Sequence, residues 1–217
     1  MLHSEQVGIA KLQPMGVDLS NTFFPPDNQS RSSRLLFVGR LVESKRPEVT
    51  LLAFAEVLKM VPDLNLDMVG DGPQRHHLEN LSEELGIRSQ VTFHGRKGQI
   101  EIASISRCAV AMIIPSGSDG APEGLCLVAI EALGCGCPVI SVPNTALQAV
   151  IPASAPIFYA LNDTPASVAQ TLLAFLQAPT PDMSNIADWQ KQLLSTFDWP
   201  NVAESYGALL EELLPHP

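Results

Sequence analysis

The 217-residue sequence has few charged, aromatic and basic residues. Charged residues make up 17% of the chain and aromatic residues 6%, whereas 46% of the residues are hydrophobic. This mixture can bury a core and lacks the charge-rich composition of disordered chains. Thirteen Lys and Arg stand against 23 Asp and Glu, a formal net charge of -10, which opposes non-specific attraction to nucleic acid or to an anionic membrane. We therefore expect a globular protein that binds any anionic ligand through local positive groups.

The sequence also lacks long hydrophobic runs and a cysteine framework. No apolar run approaches the roughly 18 residues of a membrane span, and the start of the chain lacks the basic and apolar segments of a secretory signal. A cytoplasmic protein with no integral membrane segment is the simplest expectation. The four cysteines, Cys108, Cys126, Cys135 and Cys137, form no Cys-x2-Cys pair, so we expect buried thiols that pack as small hydrophobic groups. Metal binding through Cys135-Gly136-Cys137 is the alternative.

Three parts can be distinguished along the chain. Residues 1–33 contain no long periodic segment and end in a polar, proline-broken stretch, as expected of an interdomain remnant and linker. Residues 34–198 are expected to form a compact domain. Residues 199–217 form a closing helix with apolar residues such as Tyr206 and Leu210 along one side, which therefore needs a surface to cover.

Short apolar runs alternate with helical patterns through the domain. The predicted strands are 35–38, 64–69, 91–93, 110–114 and 139–141. The predicted helices are 47–60, 78–85, one beginning near Glu123, 165–176, 182–196 and 201–214. Because the strands are continuously apolar, as in strands covered by helices on both faces, the pattern predicts an α/β fold with a doubly wound, Rossmann-like parallel sheet.

Ligands of open parallel sheets lie beyond the carboxyl ends of the strands, and three loops there are informative. The loop after the first strand delivers Arg40 and Lys45 just before a helix, and this pair suits a diphosphate. A solvated turn is the alternative. The second strand runs into residues 70–73, whose glycines permit close backbone approach to a ligand or merely form a turn.

A third loop, residues 115–122, leads into the segment from Glu123 to Glu131. A helix beginning near Glu123 would present free amides and its positive dipole end to an anion. Glu131 would then lie about 12 Å further along the helix, a separation that matches two ends of an extended ligand such as a nucleotide sugar. Burying Glu131 in an apolar run costs free energy unless a partner satisfies it, and either a ligand hydroxyl or a salt bridge would do so.

Taken in order, these features resemble the donor-binding domain of glycosyltransferase family 4, one half of the GT-B fold. The family has an Arg and Lys loop after its first strand and a Glu-x7-Glu element. Further segments of this chain that fit the same template are residues 14–18, 93–95, 132–140 and 197–199. The match runs from about Pro14 to Leu214.

The resemblance implies a retaining, hexosyl-type transferase of polysaccharide or glycoconjugate biosynthesis that binds a nucleotide-diphosphate sugar. It implies catalytic roles for Arg40, Lys45 and Glu123. The donor-binding residues that it implies are Gly39, Arg40, Lys45, Gly70, Gly95, Glu123, Gly124, Leu125, Cys126, Leu127 and Glu131. Neither a cofactor nor a bound metal is expected, because cations and helix amides stabilise the leaving diphosphate.

The sequence departs from the family pattern at several points. Cys126 and Arg46 each stand where glycine is common, and the segment after Ser141 lacks the usual Gly-Gly. The acceptor-binding half of the fold is also missing from the sequence. We therefore expect a separate acceptor-binding domain or self-association, with no nucleic-acid partner. The alternative is a non-catalytic, truncated remnant that acts as an interaction module.

Overall fold

One six-stranded sheet and eight α-helices make up the described part of the chain, which in this computed structural model comprises residues 15–26, 32–117, 125–178 and 186–213. The strands are β1 (Arg34–Val38), β2 (Asn65–Val69), β3 (Val91–Gly95), β4 (Ala111–Ile114), β5 (Val139–Ser141) and β6 (Ile157–Tyr159). The helices are α1 (Pro47–Leu58), α2 (Arg75–Glu84), α3 (Gln99–Cys108), α4 (Leu127–Gly134), α5 (Thr145–Val150), α6 (Pro165–Gln177), α7 (Ile186–Phe197) and α8 (Trp199–Leu213).

The sheet is parallel throughout, and its central strands are buried on both faces. Its strand order is β3-β2-β1-β4-β5-β6. Leu35 and Phe37 contribute to the hydrophobic cluster under α1, α2 and α6, whereas Leu36 contributes to the cluster under α4 and α7, as the alternation of side chains along a strand requires. This architecture confirms the predicted doubly wound, Rossmann-like fold.

The sequence patterns did not indicate three of these elements. The first turn of α3 contains Ile100 and Ile102, two branched residues whose alternation resembles a strand pattern. The segment is nevertheless a helix, which packs on β1 and α4. β6 is only three residues long and is defined by pairing with β5. α5 is a short helix whose cap is Asn144. Each depends on tertiary contacts more than on a local periodic pattern.

Part of the predicted linker packs on the domain. The backbone N–H of Val17 donates to the carbonyl of Phe197 at 2.7 Å, and the buried carboxylate of Asp198 accepts from the N–H of Leu19 at 2.9 Å. Phe23 is 1% exposed, and Arg107 donates to the carbonyl oxygen of Phe24 at 2.8 Å. The segment therefore belongs structurally to the same hydrophobic core as α4 and α7.

A polar cluster joins β1, β2 and β3 on one face of the sheet. Arg34 donates two hydrogen bonds of 2.6 Å to Asp67, and the ring of His94 lies 2.7 Å from the same carboxylate. Burial alone raises the pKa of Asp67, but the hydrogen bonds with Arg34 and His94 outweigh it and leave the pKa below its usual value. Asp67 is therefore ionised at neutral pH and links three strands.

The cysteine prediction holds for two residues and is wrong for one. Cys135 and Cys137 are buried free thiols, as expected, but Cys108, the last residue of α3, is exposed. No group of three or more potential metal ligands occurs among the described residues. None of the helices in this part of the chain has the length and apolar character needed to cross a bilayer.

Candidate functional site

The strand order places a crevice between β1 and β4. β1 leads through α1 to β2 on one side, whereas β4 leads through α4 to β5 on the other, so the two connections diverge. In open α/β sheets such a topological switch point, at the carboxyl ends of the strands, is where ligands bind. A ligand-binding site is therefore expected at the loops that leave β1 and β4.

A small pocket of about 40 Å³, which we call the switch-point pocket, lies at this crevice. Gly39 and Lys45 line it from the β1 side and Ser116 from the β4 side. Cys126 and Val128 line it at the start of α4, over an apolar floor from the ends of the two strands. The structure thus brings together three of the predicted site residues, Gly39, Lys45 and Cys126.

The three cations of the first loop lie in different surroundings. Lys45, the last residue of a short 3-10 helix, is half-buried in the switch-point pocket, whereas Arg40 is exposed. Arg46 forms an ion pair with Asp163, beyond the end of β6. Of the three, Lys45 is the one that the fold directs into the pocket.

The glycines at the carboxyl ends of β1, β2 and β3 allow close backbone packing. Gly70 has a φ of 135°, and a Cβ there would lie 1.8 Å from the carbonyl oxygen of Gly39. Its N–H donates to the carbonyl of Gly95 at 2.8 Å, and Gly95 itself has a φ of 70°. These contacts show that close packing of Gly70 against Gly39 and Gly95 accounts for the glycine at position 70. A contact of Gly70 or Gly95 with a ligand stays a prediction.

α4 begins later than predicted. The sequence indicated a helix from near Glu123, but the first helical residue is Leu127, and Cys126 occupies the cap position with a φ of -78° and a ψ of 88°. Leu125 therefore precedes the helix. A start after Gly124 agrees with the low helix propensity of glycine. Glu123 and Gly124 lie outside the described residues, so their predicted roles are untested.

The amino end of α4 nevertheless faces the switch-point pocket. Cys126 makes no side-chain cap hydrogen bond, and the N–H of Ala129 donates to the carbonyl of Cys126 at 3.0 Å. The positive dipole end of the helix is nevertheless a place that favours an anion, as at other helix amino ends. Cys126 and Val128 both line the pocket that contains Lys45. A helix amino end and an ammonium group thus converge, which favours a negatively charged ligand.

Glu131 lies in the second turn of α4 and is half-buried. Desolvation raises its pKa above the usual value. The salt bridge that was one sequence-based alternative does not occur with any residue in the described ranges. A carboxyl group in this state is suited to hydrogen bonding with ligand hydroxyl groups, because these would compensate its desolvation.

Cys126 has competing electrostatic surroundings. Burial raises the pKa of its thiol, and the positive charge of Lys45 and the amides of Ala129 and Val128 act in the opposite direction without overcoming it. The thiol is therefore neutral at physiological pH. Its side chain takes up space in the pocket that a glycine would leave open.

Two buried polar residues at the same edge of the sheet were not identified from the sequence. Ser116 and Asn144, each 3% exposed, lie just beyond β4 and β5 respectively. The signal that could have revealed them is their position directly after a buried strand, where ligand-contacting residues concentrate in this fold class.

The fold and the electropositive crevice define a Rossmann-like domain suited to a phosphorylated ligand. The family described as "Glycosyl transferases group 1" matches residues 20–186. The chain belongs to this family.

Similar proteins agree with that assignment. The chain is 34% identical over 183 residues to a D-inositol 3-phosphate glycosyltransferase of Frankia alni, an alignment that covers 76% of this chain and 44% of that protein. The chain thus spans less than half the length of the curated relatives that it matches.

Two solved structures have the same fold. Sucrose-phosphate synthase from Thermosynechococcus elongatus superposes with a TM-score of 0.77 at 26% identity, covering 94% of this chain and 52% of that one. HepE of Anabaena, in complex with UDP and glucose, superposes with a TM-score of 0.78 at 16% identity, covering 93% and 57% of the two chains. These structures share the fold, and the match to the group 1 glycosyltransferase family confirms the family level of the sequence-based prediction.

Proposed function

We propose that this chain is the donor-binding half of a retaining glycosyltransferase of family 4 type. It binds a nucleotide-diphosphate sugar in the cytoplasm, and the glycosyl group passes to an acceptor hydroxyl held by a separate domain. The observation that carries the proposal is the convergence of Lys45, Gly39 and the amino end of α4 on the switch-point pocket. The UDP named in the HepE complex supports the same ligand class.

The proposed roles follow the positions of the described groups and, for Glu123, the resemblance to the family. Lys45 and the amides at the start of α4 neutralise the diphosphate as it leaves, and Arg40 adds an exposed charge at the entrance. Glu131 accepts hydrogen bonds from ribose hydroxyls, and Glu123 contacts the sugar. Because fixed positive groups stabilise the leaving group electrostatically, the proposal requires no cofactor or metal.

Calorimetric titration with UDP, GDP and ADP at millimolar concentrations tests the proposal. We expect one of them to bind, with affinity preserved in excess EDTA. Lys45→Ala should weaken binding about tenfold or more, since a hydrogen bond to a charged group contributes about 1.5–3 kcal/mol. Arg40→Ala should have a smaller effect because Arg40 is exposed.

Lys59→Ala is the matched control. Lys59 is an exposed lysine paired with Glu56 at the end of α1, and its removal takes away the same charge without reaching the pocket. A chain that binds none of the three nucleotides, or a Lys45→Ala variant that binds as well as Lys59→Ala, contradicts the proposal.

The closing helix supports the proposed need for a partner. Val202 is buried, but Trp199, Tyr206 and Leu210 are 52%, 42% and 60% exposed. We propose that a separate acceptor-binding domain, or a second copy of this chain, covers these side chains. Light scattering that shows a monomer throughout the micromolar range would argue against self-association.

The alternative of a non-catalytic remnant has no particular observation in its favour. Lys45 and Gly39 line one crevice, and Glu131 lies in the helix whose amino end faces it, whereas a domain released from binding a donor has no reason to keep them. Nucleotide binding without any transfer, when an acceptor-binding domain is supplied, would favour that alternative.

A further inference from the structure

Asn144 has a hydrogen-bond donor that the described fold does not use. The residue is 3% exposed, and its Nδ2 atom has no hydrogen-bond partner among the residues that the structure describes. Its other amide atom, Oδ1, accepts a hydrogen bond of 3.0 Å from the N–H of Leu147 and caps α5. Most buried polar atoms have a hydrogen-bond partner, because leaving one unpaired costs free energy. An unpaired Nδ2 group at this position is therefore a candidate for binding a ligand.

The amide of Asn144 lies beside the proposed donor site. Asn144 comes three residues after the last residue of β5, and its side chain packs against Gly117. A Cβ on Gly117 would lie 2.8 Å from Nδ2, and Gly117 has a φ of 130°. Gly117 is adjacent in sequence to Ser116, which lines the switch-point pocket. The unused donor is therefore close to the backbone of the loop at which the pocket opens.

We propose that Asn144 is a further ligand-binding residue, whose Nδ2 donates a hydrogen bond to an oxygen of the donor glycosyl diphosphate. This inference rests on the proposed function. The oxygen belongs to a phosphate or to a sugar hydroxyl, since both accept a hydrogen bond from an amide. The same side chain thus caps α5 with its oxygen and binds the ligand with its nitrogen.

Two substitutions remove the donor and keep the cap. Serine and aspartate both serve as helix caps, so Asn144→Ser and Asn144→Asp should keep α5 and fold. Calorimetry then measures the affinity of the two variants for whichever of UDP, GDP and ADP binds the wild-type chain best, and for the glucose conjugate of that nucleotide. Asn162→Ser, which changes an exposed asparagine after β6, is the control.

We expect Asn144→Ser to bind the glucose conjugate about 5- to 10-fold more weakly, as the loss of one such hydrogen bond predicts. If the affinity for the nucleoside diphosphate falls by the same factor, the bonded oxygen belongs to a phosphate. Asn144→Asp should then bind more weakly still, because its negative charge repels the phosphate. If only the conjugate is weakened, the oxygen is a sugar hydroxyl, and Asn144→Asp should recover affinity by accepting a hydrogen bond from it. Both results support the inference and locate the contact.

Unchanged affinity for both ligands in both variants overturns the inference while leaving the proposed function standing. A lower melting temperature with unchanged affinity overturns it too, since Nδ2 would then act within the fold. A wild-type chain that binds neither ligand overturns the proposed function and this inference together.

Discussion

Arg46 adopts the left-handed conformation, with a φ of 49° and a ψ of 44°, and no other non-glycine residue of the described ranges has a positive φ. It stands between Lys45 and the first residue of α1, so this conformation directs the chain from the pocket into the helix. The left-handed region costs a non-glycine residue about 1–2 kcal/mol. The partly exposed ion pair with Asp163 offsets only about 0–1 kcal/mol of this.

Two substitutions at this position distinguish the backbone strain from the contribution of the ion pair. Arg46→Ala loses the ion pair and keeps the strain, so we expect it to destabilise the protein by up to about 1 kcal/mol. Arg46→Gly loses the same ion pair but relieves about 1–2 kcal/mol of strain, against about 0.5–1 kcal/mol of extra chain entropy. The glycine variant should therefore be more stable than the alanine variant by about 0.5–1 kcal/mol, or a few degrees in melting temperature.

Urea and thermal unfolding of the two variants provide the measurement. The usual order is the reverse, since glycine in a helix interior is less stable than alanine by about 1 kcal/mol. Glu56→Gly and Glu56→Ala, at a residue inside α1, should show that usual order. An Arg46→Ala variant that is more stable than Arg46→Gly refutes the strain argument.

Three further predictions concern the sheet and the pocket. Asp67→Asn should destabilise the protein at pH 7 by about 1–3 kcal/mol. The pKa of Asp67 is lower in the folded protein than in the unfolded chain, so the wild type loses this advantage as the pH falls below about 4. Acid-unfolding curves of the two proteins should therefore converge there. Gly70→Ala should unfold far more easily than Gly86→Ala in thermal melts, because both have a positive φ but only Gly70 has a carbonyl oxygen in the way of a Cβ; equal melting temperatures would contradict this. A bound nucleoside diphosphate should slow iodoacetamide labelling of Cys126, measured by mass spectrometry, and leave that of exposed Cys108 unchanged; equal labelling of Cys126 with and without nucleotide would oppose the pocket assignment.

The sequence alone allowed most of the regular structure to be predicted. The observed β5, Val139–Ser141, matches the predicted range, and α6 begins at Pro165 behind a Thr164 cap as expected. These elements have strong local signals, namely a continuous apolar run and a cap followed by proline. α3 lacked such a signal, and its packing against the sheet decided its conformation.

The same distinction applies to the candidate site. Lys45 could be singled out from residue type and position, because the carboxyl ends of parallel strands are the expected place for a ligand. Cys126 was indicated only by the family resemblance. Their convergence on one pocket could not be predicted, because they are far apart in the chain and only the sheet order places their loops on either side of one crevice.

The sequence by itself determined the fold class, the alternation of strands and helices and the types of residue available to bind an anion, since these depend on local periodicity and composition. Tertiary structure alone decided where α4 begins, which cation enters the pocket and that Asn144 keeps an unused donor. The physical reason is that burial, hydrogen-bond pairing and close backbone approach involve residues distant in sequence, and no local pattern records which of them meet.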